Sequence, residues 1–139
     1  MSDIIDIAKK GIAAYNEANW DAVRELASPG VQYDEVATHR KLEGIDQVLE
    51  AWKGWRAAFS DSKGTINSAI AAGDTAVIEV TWTGTHDAPM PTPNGEIPAT
   101  GKSINIRACQ ITKIVDGKMT HQTHYFDMAT MMQQLGLVG

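Results

Sequence analysis

The sequence predicts an α+β domain in which three helices cover one face of a mostly antiparallel sheet. Three observations lead to this fold class. As far as Ser60, apolar residues recur at intervals of three and four, which is typical of helices. Farther along, apolar residues alternate with polar ones, as in strands that bury one face. Near the end, two strand-like runs are joined by Asp116-Gly117, a dipeptide that tight hairpin turns favour.

Three helices are predicted in the first part of the chain. The first follows a capping residue, Ser2 or Asp3, and its apolar side consists of Ile5, Ala8, Ile12 and Tyr15. The second is shorter, is capped by Asn19 and runs from Trp20 to about Ala27. The third follows Gly44, and its apolar stripe consists of Ile45, Val48, Trp52, Trp55 and Phe59.

Five strands are predicted, namely Val31–Val36, Gly64–Ala71, Thr75–Thr85, Ser103–Ile114 and a last strand that starts at Lys118. In Thr75–Thr85 and Ser103–Ile114, apolar side chains occupy even-numbered positions, so the even-numbered face of these two strands should be buried. The segment His86–Gly101 contains four prolines and should form a loop over one end of the sheet. A short helix, Met128–Leu135, closes the chain and ends at Gly136.

The composition limits the classes of protein to consider. With 139 residues, 43% hydrophobic and 21% charged, the chain has the size and balance of one ordinary globular domain. The net charge of −5 and the scattered lysines and arginines argue against a nucleic-acid partner. We expect no membrane span and no signal peptide, since no long apolar run occurs. The lone Cys109 cannot form an internal disulfide, which fits a cytoplasmic protein.

Several short motifs occur in order over nearly the whole chain: Tyr15–Asp21, Arg56–Asp61, Gly73-Asp74, Thr83–His86, Asp116–Lys118, Tyr125–Asp127 and Gln134–Gly136. This series resembles the SnoaL-like polyketide cyclases, which share the cystatin-like cone with the ketosteroid isomerases. The resemblance implies a single domain over residues 1–139, with a curved, mostly antiparallel sheet, three covering helices and a pocket on the concave face. The family contains cyclases, isomerases, dehydratases, epoxide hydrolases and binding-only members, so it does not fix the reaction.

The register of the last hairpin decides which side chains face this pocket. A three-residue loop with a glycine bulge turns a set of even-numbered residues inward: Gln110, Gln122, His124 and Phe126. A two-residue loop would turn His121, Thr123 and Tyr125 inward instead. The bulged register is favoured, because the resemblance points the same way. In either register His121 and His124 point to opposite faces and cannot share a metal ion, so no metal site is predicted.

The resemblance implies three candidate catalytic residues. Asp34 matches the aspartate that shuttles the proton in ketosteroid isomerases, with Glu35 as a competitor for this role. Gln110 matches their oxyanion donor, and its amide can donate a hydrogen bond but cannot supply a proton. His124 lies near the acid/base aspartate of SnoaL-like cyclases and could do the same work near neutral pH. Each also has a structural alternative, such as a buried His124 bonded to Tyr33.

Further residues are candidates for ligand binding: Tyr33, Trp52, Trp55, Trp82, His86, Gln122 and Phe126. The periodicity of the tryptophans first indicates core positions, but their flat faces would also suit a polycyclic ligand. His86 opens the proline segment and is placed either at the pocket mouth or in an exposed turn. Asp127 directly precedes the last helix, where aspartate is a favoured cap.

We therefore expect a pocket enzyme that binds a small, largely apolar or aromatic carbonyl compound. It would move a proton next to the carbonyl group without a cofactor, in aldol-type ring closure or double-bond migration. A non-catalytic binding or sensing module is the alternative, since no complete acid/base pair of either subgroup is present. An epoxide hydrolase is a weaker alternative, because Arg107 falls on the outward face.

A homodimer is expected through the outer face of the sheet. The side chains predicted there are Val77, Thr81, Thr83, Cys109 and Ile111, which are more apolar than a solvated sheet requires. Resemblance to dimeric relatives also supports a homodimer.

Overall fold

The computed structural model describes residues 2–92 and 95–137. Four α-helices are present in this part of the chain: α1 Ser2–Asn16, α2 Trp20–Leu26, α3 Ile45–Ala58 and α4 Met128–Gln134, with a short 3-10 helix at Val36–Thr38. The strands are β1 Ala27–Glu35, β2 Arg40–Glu43, β3 Lys63–Ala72, β4 Thr75–Thr85, β5 Met90–Thr92, β6 Gly95–Ile97, β7 Ser103–Val115 and β8 Lys118–Phe126. The side chains of Ser2 and Asp3, expected to cap α1, lie outside this description, as does Pro93.

Six strands form one mixed sheet in the order β2-β1-β8-β7-β4-β3. Strand β1 runs parallel to β8, and the other neighbours in this sheet are antiparallel. Apolar side chains of α1, α2 and α3 pack against β1 and β4 in one buried cluster. The predicted α+β class, with helices over a mostly antiparallel sheet, is confirmed.

The even-numbered face of β4 and β7 is buried as the alternation predicts. Ile78 and Val80 are almost fully buried, and so is Ile106 on the neighbouring strand. Glu79 and Arg107 are their odd-numbered neighbours along the strands, and both are exposed. Since the helices cover the even-numbered face, any internal site must be built from even-numbered residues of these strands.

In the β7–β8 hairpin the predicted residues face inward, but the loop and the position of the bulge differ from the prediction. The turn is a two-residue loop, with Val115 opposite Lys118 and positive φ angles at Asp116 (53°) and Gly117 (77°). A bulge follows at Thr120, because Ile114 pairs with Met119 but Lys113 pairs with His121. The predicted three-residue loop is therefore wrong. Beyond the bulge, even-numbered residues pair with even-numbered ones, and this pairing was predicted.

Two segments for which no strand is predicted contain short strands. Strand β2 pairs with the end of β1 within a polar stretch that carries no apolar alternation, so the sequence gives no strand signal there. Within the proline segment, β5 and β6 pair as a separate two-stranded sheet, and the described residues of the segment stay out of the main sheet as predicted. All three strands are short, at four residues or fewer.

The outer face of the sheet carries several exposed apolar side chains, namely Ile70, Ile111, Val115 and Tyr125. Val77 of β4 lies directly between Ile70 and Ile111 in the strand pairing. A homodimer through this face stays a prediction. Within residues 2–92 and 95–137, no helix is long and apolar enough to cross a membrane.

Candidate active site

A cavity lies between the helices and the even-numbered face of the sheet. The volume inside this cavity that the centre of a water molecule can occupy is about 80 Å³. This is room for several water molecules. Its wall is formed by Gly11, Ile12, Tyr15, Tyr33, Trp52, Trp55, Ser62, Trp82, Ile104, Ile106, Gln110, Gln122, His124, Phe126 and Met131. Most of these side chains are apolar or aromatic, so a few polar atoms dominate what the cavity can recognise.

Most of the residues singled out in the sequence line this cavity: Tyr33, Trp52, Trp55, Trp82, Gln110, Gln122, His124 and Phe126. The bulge at Thr120 is the reason that the β8 members of the set share one face with Gln110. Their placement was predicted; the roles assigned to them stay predictions. Asp34 and His86 do not line the cavity.

His124 is held by hydrogen bonds at both ring nitrogens. Its Nδ1 lies 3.0 Å from the hydroxyl of Tyr33, and its Nε2 accepts a hydrogen bond of 3.1 Å from the indole nitrogen of Trp82. Since Trp82 can only donate, Nε2 carries a lone pair and the proton of the neutral ring sits on Nδ1. Nδ1 therefore donates to the Tyr33 oxygen.

Glu35 stands behind Tyr33 as a fully buried carboxylate. Its Oε2 accepts from the Tyr33 hydroxyl (2.8 Å) and the Trp55 indole nitrogen (3.0 Å). Its Oε1 accepts from the Thr38 hydroxyl (2.7 Å) and from Arg40 Nη2 (2.7 Å). Each carboxylate oxygen thus has two donors, which is the pairing that a buried charge requires.

The pKa values of Glu35, Tyr33 and His124 fit one protonation state. Burial alone would raise the pKa of the Glu35 carboxyl, but Thr38, Arg40 and Tyr33 together hold it below its ordinary value. Burial and the nearby Glu35 charge raise the pKa of the Tyr33 hydroxyl well above its ordinary value. Burial lowers the pKa of His124 to about 4, although Glu35 acts in the opposite direction. At neutral pH, Glu35 is therefore charged while Tyr33 and His124 are neutral.

Gln110 and Gln122 supply the polar atoms of the cavity that are left without a partner. Among the described residues, the side-chain amide of Gln110 makes no hydrogen bond, although Gln110 is buried. Gln122 donates to the Thr112 hydroxyl (3.0 Å), but within residues 2–92 and 95–137 its buried Oε1 has no partner. Since buried polar groups are normally paired, these two amides are suited to a ligand.

Trp82 is fixed in place from behind by the backbone of Gly64. A Cβ at Gly64 would lie 2.7 Å from Trp82 Cζ3, so only glycine leaves room for the indole. The Gly64 backbone is itself tied to α1, since its N–H donates to Asn16 (2.8 Å) and its carbonyl accepts from Asn16 (2.9 Å). The ring of Tyr15 packs edge-on against Trp82 at 5.2 Å.

The expectation that Asp34 faces the same cavity as His124 is wrong. Along β1 the odd-numbered Val31, Tyr33 and Glu35 are buried, so Asp34 points to the opposite face and is partly exposed. Glu35, named only as its competitor, is the buried carboxylate. The alternation of Val31 and Tyr33 is a signal that could have shown this, had it been applied to β1 as it was to β4 and β7.

Both placements expected for His86 are wrong. The residue is fully buried, and its ring stacks on Phe59 at a centroid distance of 5.1 Å. Its Nδ1 is within hydrogen-bond distance of the Thr100 hydroxyl (3.1 Å) and accepts from the Thr100 backbone N–H (3.3 Å). His86 therefore holds the two ends of the proline segment together and is neither at the cavity mouth nor in an exposed turn.

Three other candidates lie outside the cavity wall. Asp127 caps α4, because its Oδ1 accepts from the backbone N–H of Thr130 (3.0 Å). His121 and Arg107 are exposed, so neither is available for chemistry in the cavity. In the part of the chain that the structure describes, no group of three or more histidine, cysteine, aspartate or glutamate side chains is arranged to hold a metal ion.

This fold and cavity define a class of protein, the cone-shaped α+β proteins with an apolar cavity between helices and sheet. A candidate SnoaL-like polyketide cyclase from Jannaschia sp. CCS1 has a TM-score of 0.87 at 16% identity, covering 99% of this chain and 94% of that chain. The candidate polyketide cyclase IdmH from Streptomyces antibioticus has a TM-score of 0.81 at 22% identity, covering 94% and 96%. A protein with a ketosteroid isomerase-like fold from Catenulispora acidiphila, in complex with trimethylamine, has a TM-score of 0.79 at 20% identity, covering 95% of this chain and 93% of that chain.

The sequence match is to one family. The model of the SnoaL-like polyketide cyclase family matches residues 5–135. The chain belongs to this family, as the order of its motifs predicts. No curated protein is significantly similar to the chain in sequence. At the identities above, the solved structures establish the fold alone.

Replacing Gly64 by alanine should displace Trp82 and break its hydrogen bond to His124. We expect Gly64→Ala to lower the free energy of unfolding by about 1–3 kcal/mol, the usual cost of an overpacked contact. Urea unfolding monitored by tryptophan fluorescence measures this loss. Gly54→Ala is the control, since nothing lies within 4 Å of a Cβ there and alanine should stabilise α3 by about 0.5–1 kcal/mol. Equal stability of Gly64→Ala and the wild type would contradict the close contact.

Acid should destabilise the protein through His124. Its pKa falls from 6.5 to about 4 on folding, so the unfolded chain binds the proton more readily between these values. The contribution to stability is complete above pH 6.5 and is lost as the pH falls towards 4. Between pH 7 and pH 5 this amounts to about 2 kcal/mol.

Urea unfolding of the wild type and His124→Gln at these two pH values measures the difference. The variant should lose less stability than the wild type, whereas His121→Gln, which changes an exposed histidine, should behave like the wild type. Glu35 contributes little in this range, because its lowered pKa places its effect below 4.5. An identical loss in the wild type and His124→Gln would show that His124 does not titrate as described.

Proposed function

We propose that the cavity binds a small, largely apolar carbonyl compound and that the protein moves a proton next to its carbonyl group. The reaction would be an aldol-type ring closure or a double-bond migration, and it needs no cofactor. The observation that carries the proposal is the unprotonated Nε2 of His124 in a largely apolar wall, backed by Tyr33 and the charged Glu35. Membership of a family of cyclases supports it.

His124 is the proposed general base. Its low pKa keeps Nε2 unprotonated throughout the neutral range, so the base form is present in almost every molecule. The proton taken from the carbon next to the carbonyl would bind Nε2 and give an imidazolium. The negative charge of Glu35 favours that cation, since it raises the pKa of His124. The same nitrogen can return the proton to the product.

Gln110 is the proposed donor to the enolate oxygen. It lies directly opposite His124 in the β7–β8 ladder, and side chains of such cross-strand pairs are close neighbours on one face. A base and an amide donor on directly opposite residues can reach the carbon-bound hydrogen and the carbonyl oxygen of one ligand. The amide stabilises the negative charge through a hydrogen bond and leaves proton transfer to His124.

One observation favours the binding module as a second candidate. The Nε2 of His124 already accepts from Trp82, so a ligand must displace the indole before this nitrogen can act as a base. If Trp82 stays in place, the cavity would recognise a ligand through the side-chain amide of Gln110 and the Oε1 of Gln122, which have no partner among the described residues, and leave it unchanged.

A carbon acid that reports its own deprotonation tests the proposal without knowledge of the natural substrate. Nitrobenzisoxazole is small, flat and apolar, and removal of its one acidic C–H proton opens the ring to a coloured phenolate. We expect wild-type protein to accelerate this ring opening and His124→Gln to lower kcat/KM by roughly 10²–10⁴-fold. His121→Gln is the matched control and should retain the wild-type rate.

Quenching of the cavity tryptophans by the same probe measures binding separately. Binding with no acceleration would favour the module over the enzyme. A wild-type rate in His124→Gln would show that His124 is not the base. Flat aromatic and steroid-like ketones, tested by the same fluorescence readout, would then show which carbonyl compounds the cavity accepts.

A further inference from the structure

We infer that Glu35 and Tyr33 are positioning residues that fix the proton of His124 on Nδ1 and thereby keep Nε2 free to receive a proton. The inference rests on the proposed function, in which Nε2 of His124 is the base.

The hydrogen-bond chain starts at Glu35, which can only accept. Its four donors come from β1, the 3-10 helix, β2 and α3, and its side chain is fully buried. The Arg40 guanidinium lies 2.7 Å from Oε1 and compensates the negative charge. A carboxylate in this setting stays ionised, so the hydrogen of the Tyr33 hydroxyl must point at Oε2.

Tyr33 passes this constraint on to His124. A hydroxyl has one hydrogen, and with that hydrogen committed to Glu35 the Tyr33 oxygen can only accept from the imidazole. Nδ1 must therefore carry the hydrogen across the 3.0 Å contact, and in a neutral ring Nε2 is left with its lone pair.

Trp82 imposes the same tautomer from the other side, but its support ends when a ligand takes its place. The indole donates to Nε2 at 3.1 Å, and this is the contact that a substrate must replace. At that moment only the chain from Glu35 through Tyr33 still keeps the hydrogen on Nδ1. The second tyrosine of the cavity, Tyr15, offers a contrast, because its hydroxyl lies 2.7 Å from Ser62 and has no carboxylate partner.

The test replaces Trp82 first and then measures which ring nitrogen of His124 carries the hydrogen. Nitrogen NMR of protein labelled at histidine distinguishes a protonated from an unprotonated ring nitrogen, and the spectrum of His124→Gln assigns the signals. In Trp82→Phe we expect His124 to keep its hydrogen on Nδ1. Adding Tyr33→Phe should change the ratio of the two tautomers by about tenfold, the size expected from one hydrogen bond.

Two further variants supply a control for loss of packing and a second test of the hydrogen-bond chain. Trp82→Phe with Tyr15→Phe removes the other tyrosine hydroxyl of the cavity and should keep the hydrogen on Nδ1. Trp82→Phe with Glu35→Gln should move it towards Nε2, because a glutamine amide can donate to Tyr33 and turn the phenol hydrogen towards Nδ1. Loss of packing alone would not distinguish Tyr33 from Tyr15.

An unchanged tautomer in both the Tyr33→Phe and the Glu35→Gln combinations would overturn the inference. Because the tautomer is measured without any ligand, this result is independent of the nitrobenzisoxazole assay. Absence of proton transfer in that assay, with the tautomer responding as expected, would instead count against His124 as a base while supporting the positioning of its hydrogen.

Discussion

The carboxylate of Glu35 is withdrawn from water entirely, and such a charge is costly unless ion pairs and hydrogen bonds compensate it. The fold meets this demand with donors from four elements: Tyr33 on β1, Thr38 in the 3-10 helix, Arg40 on β2 and Trp55 on α3. The carboxylate thereby ties the edge of the sheet to the helix that covers it. Two of these donors, Tyr33 and Trp55, also line the cavity, so the same demand sets the geometry of the site.

The cavity combines two properties that favour different functions. A neutral, buried His124 beside the unpaired amide of Gln110 is an arrangement suited to acid/base chemistry on a carbonyl compound. The Trp82 indole, packed against Gly64, donates a hydrogen bond to Nε2 of His124. In the resting site this nitrogen is therefore not free to accept a proton from a ligand. The two proposed functions therefore differ in one step: a ligand of the enzyme displaces Trp82, and a ligand of the binding module does not.

Much of the fold and part of the site follow from local patterns in the sequence. The alternation in β4 and β7 predicts the buried face, and the same face carries Gln110 into the cavity. The bulge at Thr120 is not evident from the hairpin dipeptide, yet it decides that His124 rather than His121 points inward. The resemblance points to Asp34, although the alternation of Val31 and Tyr33 places Glu35 on the buried face of β1. The full set of partners of Glu35 is brought together only by folding. Thr38 and Arg40 are near in sequence, but the approach of Trp55 depends on α3 packing over β1.

The central claim is that Glu35 and Tyr33 act as one unit, and a double-mutant cycle tests it most directly. The free energies of unfolding of the wild type, Tyr33→Phe, Glu35→Gln and the double variant give the coupling energy between the two residues. A hydrogen bond from a buried hydroxyl to a carboxylate predicts a coupling of about 1–3 kcal/mol. Additive effects of the two substitutions, to within about 0.5 kcal/mol, would contradict the claim.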